Sequence, residues 1–395
     1  MGETLSKIAH QLKAANKKVQ LIYAFNGTGK TRLSREFKDH LLAEEIDNED
    51  EDNAQASELS RKSIIYYNAF TEDLFFWDND LDGDEDRKLK IHPNAFTRWV
   101  LEEQGQSGTI INHFQRLTNS NVEPVFGADF SDVRFVLRGD EQRVPIKISK
   151  GEESNLIWCV FYSFLELIVE ELSNPIDERS TSDFNNLRYV FIDDPVSSLD
   201  DNHLIELAVD LAKLIKSSTA GLSFIITTHS PLFYNVLSNE LNNKLAKNPS
   251  AVPIDWIYKP GEAQKFRLDK KIDGDFVLTE LGGRTPFSYH LLLLSEIREA
   301  IRDNQIKKYH FNFLRNILEK TATFLGHDKW ENLLPRAADG NSDPFANRIL
   351  NLSSHSAHAG EETGEVEAHD KEELEKLVNF LSSEYGFWSQ EIPND

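Results

Sequence analysis

The spacing of apolar and polar positions changes once along the chain. Residues 18–25 (KVQLIYAF) are a short run of strand-forming residues that stops at NGTGKT, and residues 32–42 are polar and amphipathic with helical spacing. The predicted order there is strand, loop, helix. Further strands are expected at 63–67 and 222–227, and residues 187–192 (LRYVFI) form the near-continuous apolar run of a strand buried on both faces. Helices are expected at 156–172, after residues 144–149, and at 204–215. This alternation predicts an α/β domain whose mostly parallel sheet is flanked by helices. Beyond Pro286 the pattern becomes helical, with helices expected at 289–301, 307–324, 345–355 and 371–387. Gly274, Gly282, Gly283 and Pro286 interrupt the chain where the pattern changes, so the expected division is residues 1–270, α/β, and 271–395, all-α. No internal repeat is found.

A length of 395 residues suits two domains, each able to bury a core. The formal charge of −23 argues against nucleic-acid binding over the whole surface while allowing a local basic patch. Residues 44–52 are mostly acidic and read as a solvated spacer, and a second acidic stretch runs to Asp86. Cys159 is the single cysteine, which rules out a disulfide framework or a cysteine-rich zinc site and fits a reducing compartment. No run approaches the ~20 apolar residues that span a bilayer, and the N-terminus lacks a leader pattern, so a cytoplasmic location is expected.

The segment Ala24-Phe25-Asn26-Gly27-Thr28-Gly29-Lys30-Thr31 lies between the first strand and its helix. In a phosphate-binding loop the glycines let backbone N–H groups wrap the phosphates, the lysine reaches the β and γ phosphates and the hydroxyl ligates Mg²⁺. Asn26 to Thr31 fit those tasks, although Ala24 stands where the motif has glycine. The strand ending Asp193-Asp194 supplies the matching carboxylates, Asp193 for Mg²⁺ and Asp194 to polarise the attacking water. Most ATPases of this type have glutamate at the second position, so slow hydrolysis is expected.

Between these elements, Ile148-Ser149-Lys150-Gly151-Glu152-Glu153 resembles the signature of ABC-type ATPases, in the form found in chromosome-associated and repair proteins. Ser149 and Gly151 would offer donors to a γ-phosphate at a helix start. Ser197-Ser198-Leu199-Asp200 resembles the D-loop, and His229 in Thr227-Thr228-His229-Ser230 resembles the switch histidine. The order and spacing of these fragments identify an ABC-type ATPase, a family whose heads sandwich nucleotide between two subunits, which implies a homodimer. The span from Asn68 to Ser149 shows no sustained heptads, which excludes long coiled-coil arms.

In the helical part, Arg315 and Glu319 are spaced i, i+4, the spacing of a surface ion pair. Arg348 and His355 are separated by six residues, which resembles the arginine-histidine motif of HEPN ribonucleases. With AFNGTGKT, YNAFTEDLFFWDND, SKGEES, FIDDPVSSLD, LRNILE and NLSSHSAHAGEE in order, the chain resembles the PrrC-type anticodon nucleases almost end to end. The resemblance implies an ABC-type regulatory head joined to a HEPN-like ribonuclease that cuts a lysine tRNA (tRNA-Lys) in the anticodon loop beside the wobble position. It implies Mg²⁺ with GTP or ATP at the head, dTTP as a regulatory nucleotide, and no metal at the nuclease site. It further implies antiphage defence, with a type I restriction-modification complex as silencing partner and a phage-encoded trigger.

The family's triad carries over to Arg315, Glu319 and His355, with His358 a rival histidine. Attack of a ribose 2′-OH on the adjacent phosphate needs a base, an acid and a cation; Glu319 and His355 divide the proton transfers and Arg315 meets the charged phosphorane. Between Arg284 and Trp330 eight basic residues face five acidic ones, so this is the expected RNA surface. Tyr309, Phe311 and Phe313 are candidates for stacking on loop bases, with core packing the stronger expectation for the two phenylalanines. The competing readings are a repair or DNA-processing ATPase with a partner-docking helical domain, and a TOPRIM-type metal nuclease hinted at only by Asp273 and Asp275.

Overall fold

The computed structural model describes residues 2–46, 63–68, 75–78, 88–92, 95–195, 201–248, 250, 254–271, 274–282, 288–336 and 366–387. The chain forms two compact units, Met1–Pro286 and Phe287–Asp395.

In the first unit, α1 (Leu5–Ala14) buries Leu5, Ile8, Ala9 and Leu12 at helical spacing and is N-capped by Thr4, whose hydroxyl accepts from Lys7 N–H. Its partner is α2 (Lys30–Ile46), through Leu33, Phe37 and Leu41. Between them runs β1 (Val19–Ala24), buried at every position. It is the third strand of a six-stranded sheet, ordered β12 (Phe276–Glu280), β11 (Ala263–Lys270), β1, β8 (Ser223–Thr228), β7 (Tyr189–Asp193) and β2 (Ile64–Asn68). Five strands are parallel and β12 alone runs antiparallel, against β11. The apolar runs read from the sequence therefore do form a mostly parallel sheet. Its register sets Asp193 opposite Thr227, and Tyr23 opposite Thr228, so the loops leaving β1, β7 and β8 emerge together at the carboxyl ends of the strands.

A second, antiparallel sheet has the order β3 (Phe75–Asp78), β4 (Lys88–Ile91), β6 (Asp132–Leu137), β5 (Val122–Phe126). The short α3 (Ala95–Arg98) and α4 (Ser107–Thr118) connect its two halves. Then come α5 (Lys150–Ser173), α6 (Asp201–Ser217), α7 (Pro231–Leu241) and the hairpin β9 (Leu245–Asn248) and β10 (Asp255–Tyr258). Helix α5 begins six residues before the expected 156, because Ser149 and Glu152 close a capping box at its start.

The second unit contains α8 (Tyr289–Arg302), α9 (Lys308–Leu325) and a last helix, Ala368–Tyr385. Leu293, Ile297, Leu314, Leu318, Leu374 and Leu381 share one core, and Arg298 donates to Ser382 Oγ at 2.8 Å, tying α8 to the last helix. The expected boundary at 270/271 falls inside the β11–β12 hairpin, where Lys270 pairs with Phe276. Strand β12 belongs to the sheet and also pairs with Glu3, so the first unit extends to Pro286. The helix expected over 345–355, with Arg348, His355 and His358, lies outside the described residues, as do Asp200 with the rest of the D-loop and Asp273. Among the described residues no helix is long and apolar enough to cross a membrane.

Candidate active sites

At the carboxyl end of β1 the chain turns through Gly27 and Gly29, both with positive φ (+79° and +103°). A side chain at Gly29 would be strained by that φ and would press on Phe276 at 3.3 Å and Leu5 at 3.5 Å. At Gly27 nothing lies within 4 Å of where a Cβ would sit, so the loop's surface there is open backbone. Lys30 opens α2 and is 8% exposed; its Nζ donates to Ala24 O, Phe25 O and Asn26 Oδ1 at 3.3 Å each and lies 3.5 Å from Asp194 Oδ2. Next to it, Thr31 Oγ1 donates to Asp193 Oδ2 at 2.7 Å.

Asp193 is 1% exposed and accepts two further hydroxyls, from Thr227 at 2.6 Å and Tyr66 at 3.3 Å. Burial pushes its carboxyl above the usual range, the Thr227 and Thr31 hydroxyls work against that, and the neighbouring Asp194 adds to it. Asp194 has φ +53°, a left-handed conformation rare outside glycine, and its N–H donates to Thr227 O at 2.9 Å. The turn aims its carboxylate at Lys30 and at both the ring Nδ1 and the backbone N–H of His229. Burial raises the Asp194 carboxyl, but the His229 hydrogen bond and the Lys30 charge outweigh it and hold it below the usual value. A carboxylate kept ionised accepts only, so Nδ1–H of His229 is the donor.

The five groups Lys30, Thr31, Asp193, Asp194 and His229 thus meet as the sequence order predicted. Asn26, Gly27 and Thr28 form the loop itself, with Thr28 N–H donating to Phe25 O at 3.2 Å. Ser149 and Gly151 stand elsewhere: Ser149 is the exposed N-cap of α5, bonded to Glu152, and among the described residues the side chains bonded to Lys30, Asp193 and Asp194 come from other elements. Thr227 and Tyr66 join the site through their hydroxyls without a motif position of their own. Thr227 lay inside the switch segment, whereas Tyr66 reaches Asp193 only through the pairing of β2 with β7. The donor set, one hydroxyl and one buried carboxylate beside a lysine and an open glycine loop, fits Mg²⁺ held by Thr31 and Asp193 with a nucleotide polyphosphate on the loop.

Asp193→Asn is expected to leave the melting temperature of the metal-free protein unchanged or raised, since burial and Asp194 already disfavour the charge. It is expected to abolish the stabilisation by Mg²⁺-nucleotide, which for intact protein at 100-fold Kd amounts to ~2.7 kcal/mol. Thermal unfolding with and without Mg²⁺-nucleotide checks both; a variant still stabilised by the pair would remove Asp193 from the metal site.

In the second unit, Arg315 and Glu319 lie one turn apart on α9, and Arg315 Nε donates to Glu319 Oε1 at 2.8 Å. The guanidinium sits over the Trp330 ring, 5.6 Å from its centroid, and Trp330 is itself buried in the core. No spacing or motif in the sequence marks Trp330 as a brace. His310 is buried, accepts Lys307 N–H at Nδ1 (2.8 Å), and has its pKa pushed down to about 4 by burial and then by Lys307, so it is a neutral helix cap. Phe311 is 2% exposed and belongs to the core, which removes it as a stacking platform; Phe313 is half-buried against Tyr309, and Tyr309 is 40% exposed. Burial lowers the pKa of His290 on α8, opposed by a hydrogen bond with Asn316.

A mostly parallel sheet with a glycine loop between β1 and α2, paired acidic residues where β7 ends and a histidine after β8 defines a P-loop nucleotide hydrolase. Residues 132–383 match the family described as AAA domain, a span that takes in Asp193, Asp194 and His229. The chain is 49% identical to an anticodon nuclease of Escherichia coli over 419 residues, covering all of both chains, and belongs to the anticodon nuclease family. It is an enzyme of that nuclease family with an AAA-type ATPase domain. Two solved structures are also similar: an SMC head bound to the C-winged helix domain of ScpA (12% identity, TM-score 0.31) and the SMC head domain from Thermotoga maritima (12% identity, TM-score 0.28), each over 67% of this chain and 90% of the other. At those scores the fold assignment rests on the strand order and loop geometry.

Proposed function

We propose that this protein is a nucleotide-regulated anticodon nuclease that cuts tRNA, specifically a lysine tRNA, in the anticodon loop next to the wobble position. The observation that carries the reading is the relatedness to an anticodon nuclease along the whole chain, through both units. The reaction is transesterification. The ribose 2′-oxygen bonds to the adjacent phosphorus as its proton passes to a base, and the P–O5′ bond breaks as an acid protonates the leaving oxygen. The products are a 2′,3′-cyclic phosphate and a 5′-hydroxyl. Arg315 stabilises the extra charge of the phosphorane, its fork pre-oriented by Trp330 and Glu319. Glu319, 51% exposed, and His355 share the proton transfers, in an all-α HEPN-like domain that needs no metal.

The first unit regulates. Lys30 and the glycine loop hold the polyphosphate of GTP or ATP, with dTTP a further nucleotide; Thr31 and Asp193 would hold Mg²⁺, which would supply charge neutralisation when bound. Asp194, engaged by Lys30 and His229 and held ionised, is a weak base, so hydrolysis is slow. The exposed Ser149 and the start of α5 serve the nucleotide of a second subunit in a homodimer formed through the ABC-type heads, and the D-loop resemblance assigns Asp200 to the same task. In the cell, defence against phage through release from a type I restriction-modification complex by a phage-encoded trigger completes the reading.

The test is incubation of the purified protein with total tRNA, Mg²⁺, GTP and dTTP, followed by sequencing of 5′-hydroxyl ends. Cuts confined to one anticodon loop and absent with His355→Ala are expected. Intact tRNA, or cutting unchanged by that substitution, would remove the nuclease assignment or the triad respectively.

A further inference from the structure

Helix α9 ends on a large apolar side chain that its fold leaves almost wholly exposed. Phe311, Leu314, Ile317, Leu318 and Ala322 face the core, and the left-handed Gly326 (φ +78°) ends the helix. Phe324 is 88% exposed, the most exposed large apolar residue among those described. Residues four apart stack in rows on a helix, so Arg315, Glu319 and Thr323 form one row, and Asn316, Lys320 and Phe324 form the row beside it. His290 borders that second row through Asn316. Phe324 lies about 7.5 Å further along the axis than Glu319, on the order of one nucleotide step of an extended strand.

We propose that Phe324 is a stacking platform for an unpaired RNA base next to the scissile phosphate, with Lys320 receiving the phosphate between them. This rests on the nuclease reading of Arg315 and Glu319. The chemistry around the ring selects the occupant. A protein partner would be met by further apolar surface, but apart from Leu325 (48% exposed) the exposed side chains within four positions of Phe324 along the chain are Lys320, Thr323, His327 and Asp328. An open aromatic face one turn from an ammonium group is the arrangement that holds splayed nucleotides: the ring takes the base and the cation its phosphate. The occupant is thus the single-stranded loop of the substrate, held two-sidedly by Arg315–Glu319 on one row and Lys320–Phe324 on the next.

The test uses the full chain carrying Glu319→Gln, which keeps an acceptor for Arg315 while blocking cleavage, with Mg²⁺ and GTP. The probe is a synthetic RNA hairpin with a lysine-tRNA anticodon loop and 2-aminopurine beside the wobble position. Adding Phe324→Ala is expected to weaken binding on the order of 10- to 100-fold and to abolish quenching of the fluorescent base, while Phe324→Trp retains both. Lys320→Ala is expected to reduce the salt dependence of binding by about one ion. Equal affinity and quenching in Phe324→Ala would overturn the inference and leave the nuclease reading standing. A hairpin that the Phe324-intact protein does not bind at all would instead remove the RNA reading of the whole face. Loss of oligomers in sedimentation with RNA quenching unchanged would make Phe324 a subunit contact, which also overturns it.

Discussion

Arg315→Ala is expected to lower the rate of tRNA cleavage by about 10²- to 10³-fold while leaving the protein folded. Removing one preorganised donor from a developing oxyanion costs about that much in comparable sites. The guanidinium is suited to the task because Trp330 and Glu319 restrict its orientation from two sides, so little ordering remains when the phosphorane forms. The stability cost is small, since a half-exposed i, i+4 pair contributes ~0.3–0.5 kcal/mol. Arg315→Lys keeps the charge but loses the fork and the stack, and a loss of about tenfold or more is expected. Cleavage time courses beside thermal melts separate chemistry from folding. A normal rate in Arg315→Ala would assign the pair to structure alone.

Lys30→Ala is expected to abolish nucleotide-dependent stabilisation and to lower nucleotide hydrolysis by about 10²-fold or more, the cost of losing a preorganised cation. It is also expected to destabilise the first unit, because Lys30 and Asp194 are both buried and removing the cation leaves a buried carboxylate without that compensating charge. The pH dependence has a definite sign. A carboxyl depressed in the folded state adds stability that is complete above the unfolded value of ~3.9 and is lost as pH falls through its lower folded value. Losing Lys30 lets the Asp194 carboxyl rise, so the gap in melting temperature between the two proteins is expected to be constant near neutrality and to close below about pH 4. A gap that widens on acidification would contradict the Lys30–Asp194 attraction. Isothermal titration with nucleotide supplies the binding readout.

Much of the nucleotide site was legible along the chain because its chemistry is local. A strand, a glycine turn and a lysine-threonine pair at a helix start are dictated by residues within a dozen positions of one another. Asp193 was equally plain, at the end of a run apolar enough to be buried on both faces. The Arg315–Glu319 contact follows from helical spacing alone. The HEPN-like pairing of Arg348 with His355 cannot be followed further, since both lie outside the described residues.

What the sequence by itself determined is therefore the four parallel strands β1, β2, β7 and β8, the helices that follow them, and the glycine loop and carboxylates expected to serve a nucleotide; the antiparallel sheet of β3 to β6 has no such local signature. Only the tertiary structure decided how those residues are tuned. The pairing of β2 with β7 brings Tyr66 to Asp193, and the turn after β7 places Asp194 between Lys30 and His229, making it a bound anion instead of a free base. The structure also decided that β12 belongs to the sheet, and that among the aromatics of α9 it is Phe311 that is buried and Phe324 that is left in water. By spacing, Phe324 sits seven residues after the buried Ile317 and would be assigned to the same face. Burial requires a neighbouring element to cover the ring, and that is a property of distant chain segments which no local period records.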